Sequence, residues 1–349
     1  MIQKLRQIQH QSGSVPTKDQ TVIDSFGNDV EGLKMAYEQA VICDLSHWGL
    51  LKLTGDDRLR FLHNQTTNSI NKLSPGLACE TIFINSIGRI IDLVTAYITN
   101  DSILILVSPN RRYFLMEWID RYIFPMDKVK ITDISEENAV FSLIGPKCTS
   151  FLKEGGINDL AELPPKNHRL MTVGGVSMRV AEGSGLDISG YTLIIPINQA
   201  KTVWGQLTQL GIVPIGNRVW EQLRIRQGRP VCNKELTEDY NPLEAGLWRA
   251  ISFNKGCYIG QETIARLNTY KGVRQKLWGV KLSQEVSPGT LIVSGGRKVG
   301  ILTSCTNIDQ DFLGLAYIRT KAGGVGLNIQ VGKATGQVIE IPFVNHEYH

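Results

Sequence analysis

Lys255-Gly256-Cys257-Tyr258-Ile259-Gly260-Gln261-Glu262, followed by Arg266, is the stretch on which the reading of this 349-residue chain turns. No generic fold needs a thiol between a glycine and an aromatic, with a second glycine opening a helical run. Gly256 and Gly260 supply the tight or positive-φ backbone that other residues resist. From Gln261 to Leu267 the pattern predicts a helix start, with Glu262 and Arg266 at the i,i+4 spacing of an ion pair. Cys257 is thereby predicted just ahead of a helix N-terminus and two residues after Lys255, and both neighbours favour thiolate over thiol. An isolated free cysteine is ordinarily a small buried hydrophobe. This one, in this setting, is a candidate reactive group.

The bulk of the chain bounds what surrounds it. With 42% hydrophobic and 20% charged residues it can bury a sizeable core, and its length predicts two or three domains rather than a disordered chain. No apolar run approaches the roughly 20 residues needed to cross a bilayer. The segment from Met1 to Gly13 lacks the apolar core of a secretory signal and the basic, Ser-rich pattern of a transit peptide, so a cytoplasmic protein is expected. Six cysteines (Cys43, Cys79, Cys148, Cys232, Cys257, Cys305) are scattered without a C-x-x-C pair, which excludes a disulfide framework and predicts no resident metal site. One exposed cysteine cannot hold an iron–sulfur cluster alone, since clusters usually take four thiolates. Between Gly216 and Val280 there are eleven Lys or Arg against six Asp or Glu, a local +5 in a chain of net +4. That excess points to an anionic ligand near the octapeptide. A phosphate backbone fits less well, because no dense basic run with interleaved aromatics accompanies it.

Along the chain, residues 1 to about 30 read as a loosely held leader ending in a strand. Helices are predicted over Glu31 to Val41, Asn110 to Tyr122, Gln199 to Leu210 and Arg218 to Arg226, with another after the break Thr54-Gly55-Asp56-Asp57, carrying Phe61 and Leu62. Strands are predicted over Ala78 to Asn85, Ile90 to Thr99, Ile103 to Ser108, Val129 to Thr132, Ala139 to Ile144 and within Leu170 to Val180. From about Gln275 helical periodicity stops. Short strands separated by Pro-Gly or Gly-Gly take over, the texture of a small antiparallel barrel or sandwich. A domain boundary is placed there, dividing residues 1–275 from 276–349.

The octapeptide with its Arg266 resembles the signature of the folate-binding YgfZ-type proteins, relatives of the glycine-cleavage T-protein that assist iron–sulfur cluster assembly or repair. Asp44-Leu45-Ser46-His47-Trp48-Gly49, Thr54-Gly55-Asp56 and Phe61-Leu62 are similar to the opening of T-protein-like chains. The polar run Asn64-Gln65-Thr66-Thr67-Asn68 favours the YgfZ-type branch. The resemblance implies an α+β fold of two T-protein-like lobes in a ring-like arrangement, with a C-terminal antiparallel β-barrel. It also implies tetrahydrofolate, or a one-carbon derivative, as cofactor. Asp92, Tyr191, Arg224 and Trp248 fall where folate contacts are expected: an acid on a strand, the Gly-Tyr pair, a guanidinium to fork onto a folate carboxylate, and a ring to stack. Cys257, Lys255, Gln261, Glu262 and Arg266 are the expected reactive group and its supports, with Tyr258 holding the loop. His47 is either a titrating group or a turn anchor.

Several T-protein features are altered. The Asp doublet is reduced to Asp92 after Ile91, the pterin-clasping acid falls on Ile188 with Asp187 beside it, and an expected Glu and Tyr are Arg226 and Cys232. Together with Cys257 these departures favour a tetrahydrofolate-binding accessory protein for iron–sulfur enzymes. Its expected partners are folate and iron–sulfur client or assembly proteins, with no stable nucleic acid and no membrane. Two alternatives stay open. One is a folate-dependent aminomethyltransferase or one-carbon transferase using Asp92 as acid/base. The other is a binding module using the basic face.

Overall fold

The computed structural model describes residues 2–156, 163–308 and 310–348, the Val173 side chain excepted. The chain forms two compact units, each discontinuous in sequence. The first comprises residues 1–58, 73–78 and 96–221; the second comprises 59–72, 79–95 and 222–349.

In the first unit six strands form one sheet in the order His168–Val173, Val176–Glu182, Gly190–Pro196, Asn138–Ile144, Val41–Asp44, Val213–Ile215. Neighbours pair antiparallel except the last two, which are parallel. Val41, predicted at the end of a helix, instead opens a strand. The helix Asp29–Glu38 stops as Gln39 leaves helical geometry, and Val41-Ile42-Cys43 runs fully buried through the sheet, where β-branched residues pack well. The core closes around Phe141, Leu193 and Trp204, with the Trp204 ring edge-on to Phe141 at 5.2 Å. Each such side chain taken from water contributes roughly 1.5–3 kcal/mol.

The N-terminal leader is not loosely held. Ile2–Gln11 is a helix whose Leu5 is fully buried. Arg6 and Gln9 both donate to one Asp44 carboxylate oxygen, at 2.6 and 2.9 Å. A second, three-stranded group of the same unit pairs Gly49–Thr54 antiparallel with both Ser102–Val107 and Lys130–Asp133.

In the second unit most of the Ala78–Ile84 and Ile90–Ile98 hairpin meets the helix Gln261–Thr269 and the first barrel strands. One apolar core includes Ile82, Ile90, Trp248, Tyr258, Ile264 and Tyr317. The barrel begins at Gln275, where the texture of the sequence changes. It closes in the order Gln275–Leu282, Asp311–Arg319, Arg297–Ile308, Leu291–Ser294, Asn328–Val331, Ala334–Ile339. All its ladders are antiparallel. Asn328–Val331 was not among the predicted strands, although its residues alternate exposed and buried.

Candidate functional site

The octapeptide lies in the second unit, strung between fixed points. Upstream, Thr67 Oγ1 donates to the Ala250 carbonyl at 2.7 Å, and the Ser252 N–H donates to the Thr67 carbonyl at 3.0 Å. Lys255 is buried, and its ammonium reaches three backbone carbonyls: His63 at 2.5 Å, Thr66 at 2.6 Å and Asn68 at 2.7 Å. Its Nζ also stands 4.7 Å from the centre of the Tyr258 ring. The Ile259 N–H donates to the Asn64 carbonyl at 3.2 Å. These carbonyls end the helix Arg58–Gln65 or follow it, where a helix leaves acceptors without partners of its own.

Downstream, Gly260 takes a left-handed conformation at φ +77°, and a Cβ there would meet the Asn85 carbonyl oxygen at 2.6 Å. Gly256 has no such constraint: φ is not positive, and nothing lies within 4 Å of its notional Cβ. Only one of the two glycines is conformationally required. The helix begins at Gln261, as predicted. Among the described residues no ion pair joins Glu262 to Arg266. Glu262 sits in the first turn and Arg266 in the last, each at the helix end whose dipole it complements.

Between these anchors Cys257 is exposed. It is the one exposed thiol of the six, all of them described residues. Cys43 and Cys148 are buried, and burial pushes the Cys148 thiol up to about 12 and Cys43 higher still. Lys255, expected to act on Cys257, directs its ammonium to backbone. Its charge is met by three carbonyls and a ring. Burial lowers the Lys255 ammonium to about 7, with proximity to Cys79 acting the other way. Yet three acceptors within 2.7 Å require three N–H donors, which only the protonated amine has. Tyr258 is buried, and burial raises its phenol well above the ordinary range. His63, next to the same carbonyls, accepts from the Ile70 N–H through Nδ1 at 3.2 Å. Burial first, then Lys255 and Lys72, lower its imidazole.

The residues expected to touch folate are placed differently from expectation. Arg224 is fully buried. Its guanidinium pairs with the equally buried Glu235 at 3.1 Å and donates to Ser304 Oγ at 2.8 Å, so it staples the core instead of forking onto a ligand. Trp248 is 2% exposed, with Tyr348 edge-on at 5.1 Å and Phe253 at 5.8 Å, so it is a core ring and not an open stacking surface. Asp92 is fully buried, and the half-buried Cys232 thiol donates to its Oδ1 at 2.9 Å. Tyr191 belongs to the first unit, 7% exposed, its hydroxyl 2.8 Å from Thr149 Oγ1. In that unit His47 is held to about 4, chiefly by burial, and its Nδ1 has no hydrogen-bond partner among the described residues. A neutral, enclosed imidazole fits a turn position better than a titrating one.

Two arrangements were not read from the sequence. Arg229 and Arg249 converge on Glu80 at 2.9 and 3.1 Å, with the Arg249 guanidinium 3.6 Å from the centre of the Phe343 ring. The second is the carbonyl trio beneath Lys255. Backbone carbonyls carry no residue signature, so only the polar run Asn64 to Asn68 marked the place. Among the described residues no group of three or more His, Cys, Asp or Glu is placed to hold a metal ion, and no helix is long and apolar enough to cross a membrane.

This arrangement of a mixed α/β body and a closed barrel is that of the glycine-cleavage T-proteins. The family model described as the GCVT N-terminal domain matches residues 25–255, and the chain belongs to that family. A protein of Arabidopsis thaliana, provisionally named a chloroplastic transferase, is 41% identical over 330 residues, covering 94% of this chain and 76% of its own. An aminomethyltransferase of Halothermothrix orenii is 24% identical over 97% of this chain and 96% of its own. The glycine cleavage system aminomethyltransferase T of Bartonella henselae shares the fold, with a TM-score of 0.87 at 16% identity over 99% of this chain and 98% of that one.

Proposed function

We propose that this chain is a cytoplasmic, tetrahydrofolate-binding member of the GCVT family that serves iron–sulfur cluster assembly or repair, with Cys257 as its reactive thiol or transient ligand. The carrying observation is that Cys257 alone among the six thiols is exposed, on a loop whose flanking side chains, Lys255 and Tyr258, are both buried. Such a loop presents sulfur to a partner while holding its position. The cluster is the substrate. Cys257 would give up its proton to solvent and its sulfur would take one iron coordination position as a ligand of the partner leaves; the other positions stay with the partner. Gln261, Glu262 and Arg266 belong to the helix that ends this loop.

Tetrahydrofolate enters through family membership and the motif resemblance, not through the four residues first expected to bind it. Asp92, Arg224 and Trp248 are committed internally, so those side chains do not fit a folate contact. Residues 276–349 are proposed as a separate barrel domain, supported by the closure of its strands.

The second reading is an aminomethyltransferase-like one-carbon transferase. It is favoured by likeness to the Halothermothrix orenii aminomethyltransferase over nearly the full length of both chains. Calorimetric titration with tetrahydrofolate and activity of an iron–sulfur enzyme in a deletion strain, each compared between wild type and Cys257→Ala, test the proposal. Folate affinity is expected to stay within about twofold, because Cys257 is remote in role from the ligand, while cluster-enzyme activity is lost. Full rescue by Cys257→Ala would sink the thiol role, and turnover of an aminomethyl donor by that variant would establish the second reading.

A further inference from the structure

Two segments nearly two hundred residues apart, His63 to Asn68 and the octapeptide, meet most densely at one atom, Lys255 Nζ. The carbonyls of His63, Thr66 and Asn68 surround it at 2.5–2.7 Å. Among the described residues no carboxylate pairs with the ammonium, so the compensation comes from carbonyl dipoles and the Tyr258 ring face. Three converging carbonyls are the donor set that suits a small monovalent cation. Neighbouring acceptors are used too: Thr66 Oγ1 donates to Leu62 O, Ile259 N–H to Asn64 O, and Ser252 N–H to Thr67 O. The bonds donated from this side to the carbonyls of residues 63–68 come from Ser252, Lys255 and Ile259, so the loop bearing Cys257 is pinned on both sides of the sulfur.

We infer that the His63, Thr66 and Asn68 carbonyls form a monovalent-cation nest that the chain fills with its own Lys255 ammonium, and that this tether positions Cys257. Lys255 is therefore a positioning residue acting through the loop backbone, not an electrostatic activator of the thiol. This deepens the reading of Cys257 given above and rests on it for its purpose, while the nest itself is tested without any activity assay.

The experiment uses the full chain, with Lys255→Met and Lys255→Ala. Backbone hydrogen exchange of residues 255–260 reports loop order, and the pH profile of Cys257 alkylation by iodoacetamide reports thiol ionisation. In Lys255→Met the exchange should accelerate about tenfold or more, while the alkylation midpoint stays within about 0.3 pH unit of wild type. In Lys255→Ala, ammonium chloride should restore protection saturably, and tetramethylammonium chloride at equal ionic strength should not, being too large for the nest. Unchanged exchange in Lys255→Met overturns the inference. So does an alkylation midpoint raised by about a unit, which would mean that Lys255 acts on the thiol by charge, and so does equal restoration by both salts. If neither variant folds, reductive methylation of the wild type decides. Lys255 should resist the reagent until global unfolding, whereas labelling as fast as the exposed Lys271 overturns the nest. Loss of function in Cys257→Ala with no effect of Lys255 on the loop would reject the clamp and leave the thiol's role standing.

Discussion

The core around Arg224 and the turn around Lys255 each bury a cation within the second unit, and they compensate it by different means. Arg224 meets a full anion, Glu235, with both side chains at 0% exposure. Lys255 meets three carbonyl dipoles. The Arg224–Glu235 pair answers charge with charge, and its contacts to backbone, the Arg229 carbonyl and the Val231 N–H, are added to that ion pair rather than replacing it. A cation on carbonyls fixes backbone, so disturbing it reaches the loop rather than the core. The first device suits a structural staple and the second suits the placement of a neighbouring group.

The largest effect expected from this contrast is on global stability. Arg224→Met leaves Glu235 as a buried, uncompensated charge and should cost about 3–5 kcal/mol, whereas Arg224→Met combined with Glu235→Met should recover most of it. Lys255→Met removes a charge and leaves three carbonyls short of donors, at a cost of about 1–3 kcal/mol. Urea midpoints of the three variants check this. A Lys255 loss as large as the Arg224 loss would break the contrast, since it would make both cations core staples.

A third cation, in the first unit, sharpens it further. Arg179 donates to His168 Nδ1 at 2.8 Å, and His168 Nε2 lies 3.2 Å from the Leu77 carbonyl, which fixes the neutral tautomer protonated on Nε2. Burial first, then Arg179, holds His168 down at about 4 against an ordinary 6.5. The sign follows from proton uptake. Between about pH 6.5 and 4 the unfolded chain binds a proton that the folded His168 refuses, so this contribution is fully present above 6.5 and is lost as the pH falls. Stability should decline by up to about 1.4 kcal/mol per pH unit across that window. The decline should be shallower in His168→Gln, compared by urea midpoints at pH 6.5 and 4.5. An identical slope in the two proteins would show that Arg179 is compensated by something other than a neutral base.

What the sequence disclosed and what it hid divide along the same physical line. The barrel was legible because turn glycines and apolar alternation are local, and the start of the helix at Gln261 was legible from its glycine and first-turn acid. The strand Asn328–Val331 was missed because four residues between two glycines give alternation too little length to register. The helix Ile2–Gln11 was missed because its apolar face is sparse, and what holds it, Asp44, lies 35 and 38 residues away from the two side chains it binds. The exposure of Cys257 agreed with its motif. The role of Lys255 did not, because its partners are carbonyls that any sequence would supply. Arg224 was read as ligand-facing because nothing local marks Glu235, eleven residues on, as its counter-charge.

The smallest expected effect separates the two glycines of the octapeptide, and it tests whether the loop is pinned on both sides or only at Lys255. Gly260→Ala places a Cβ in the left-handed region and 2.6 Å from the Asn85 carbonyl oxygen, a backbone atom that cannot swing aside. That should cost about 1–3 kcal/mol and increase hydrogen exchange at the start of the helix. Gly256→Ala has an ordinary φ and open space around the added methyl, so its urea midpoint should move by less than about 0.5 kcal/mol. Equal costs for the two substitutions would mean that the chain is held along its whole length. The predicted inequality leaves residues 256 and 257 as the free crest of a loop anchored at Lys255 and Gly260, which is the geometry a presented thiol requires.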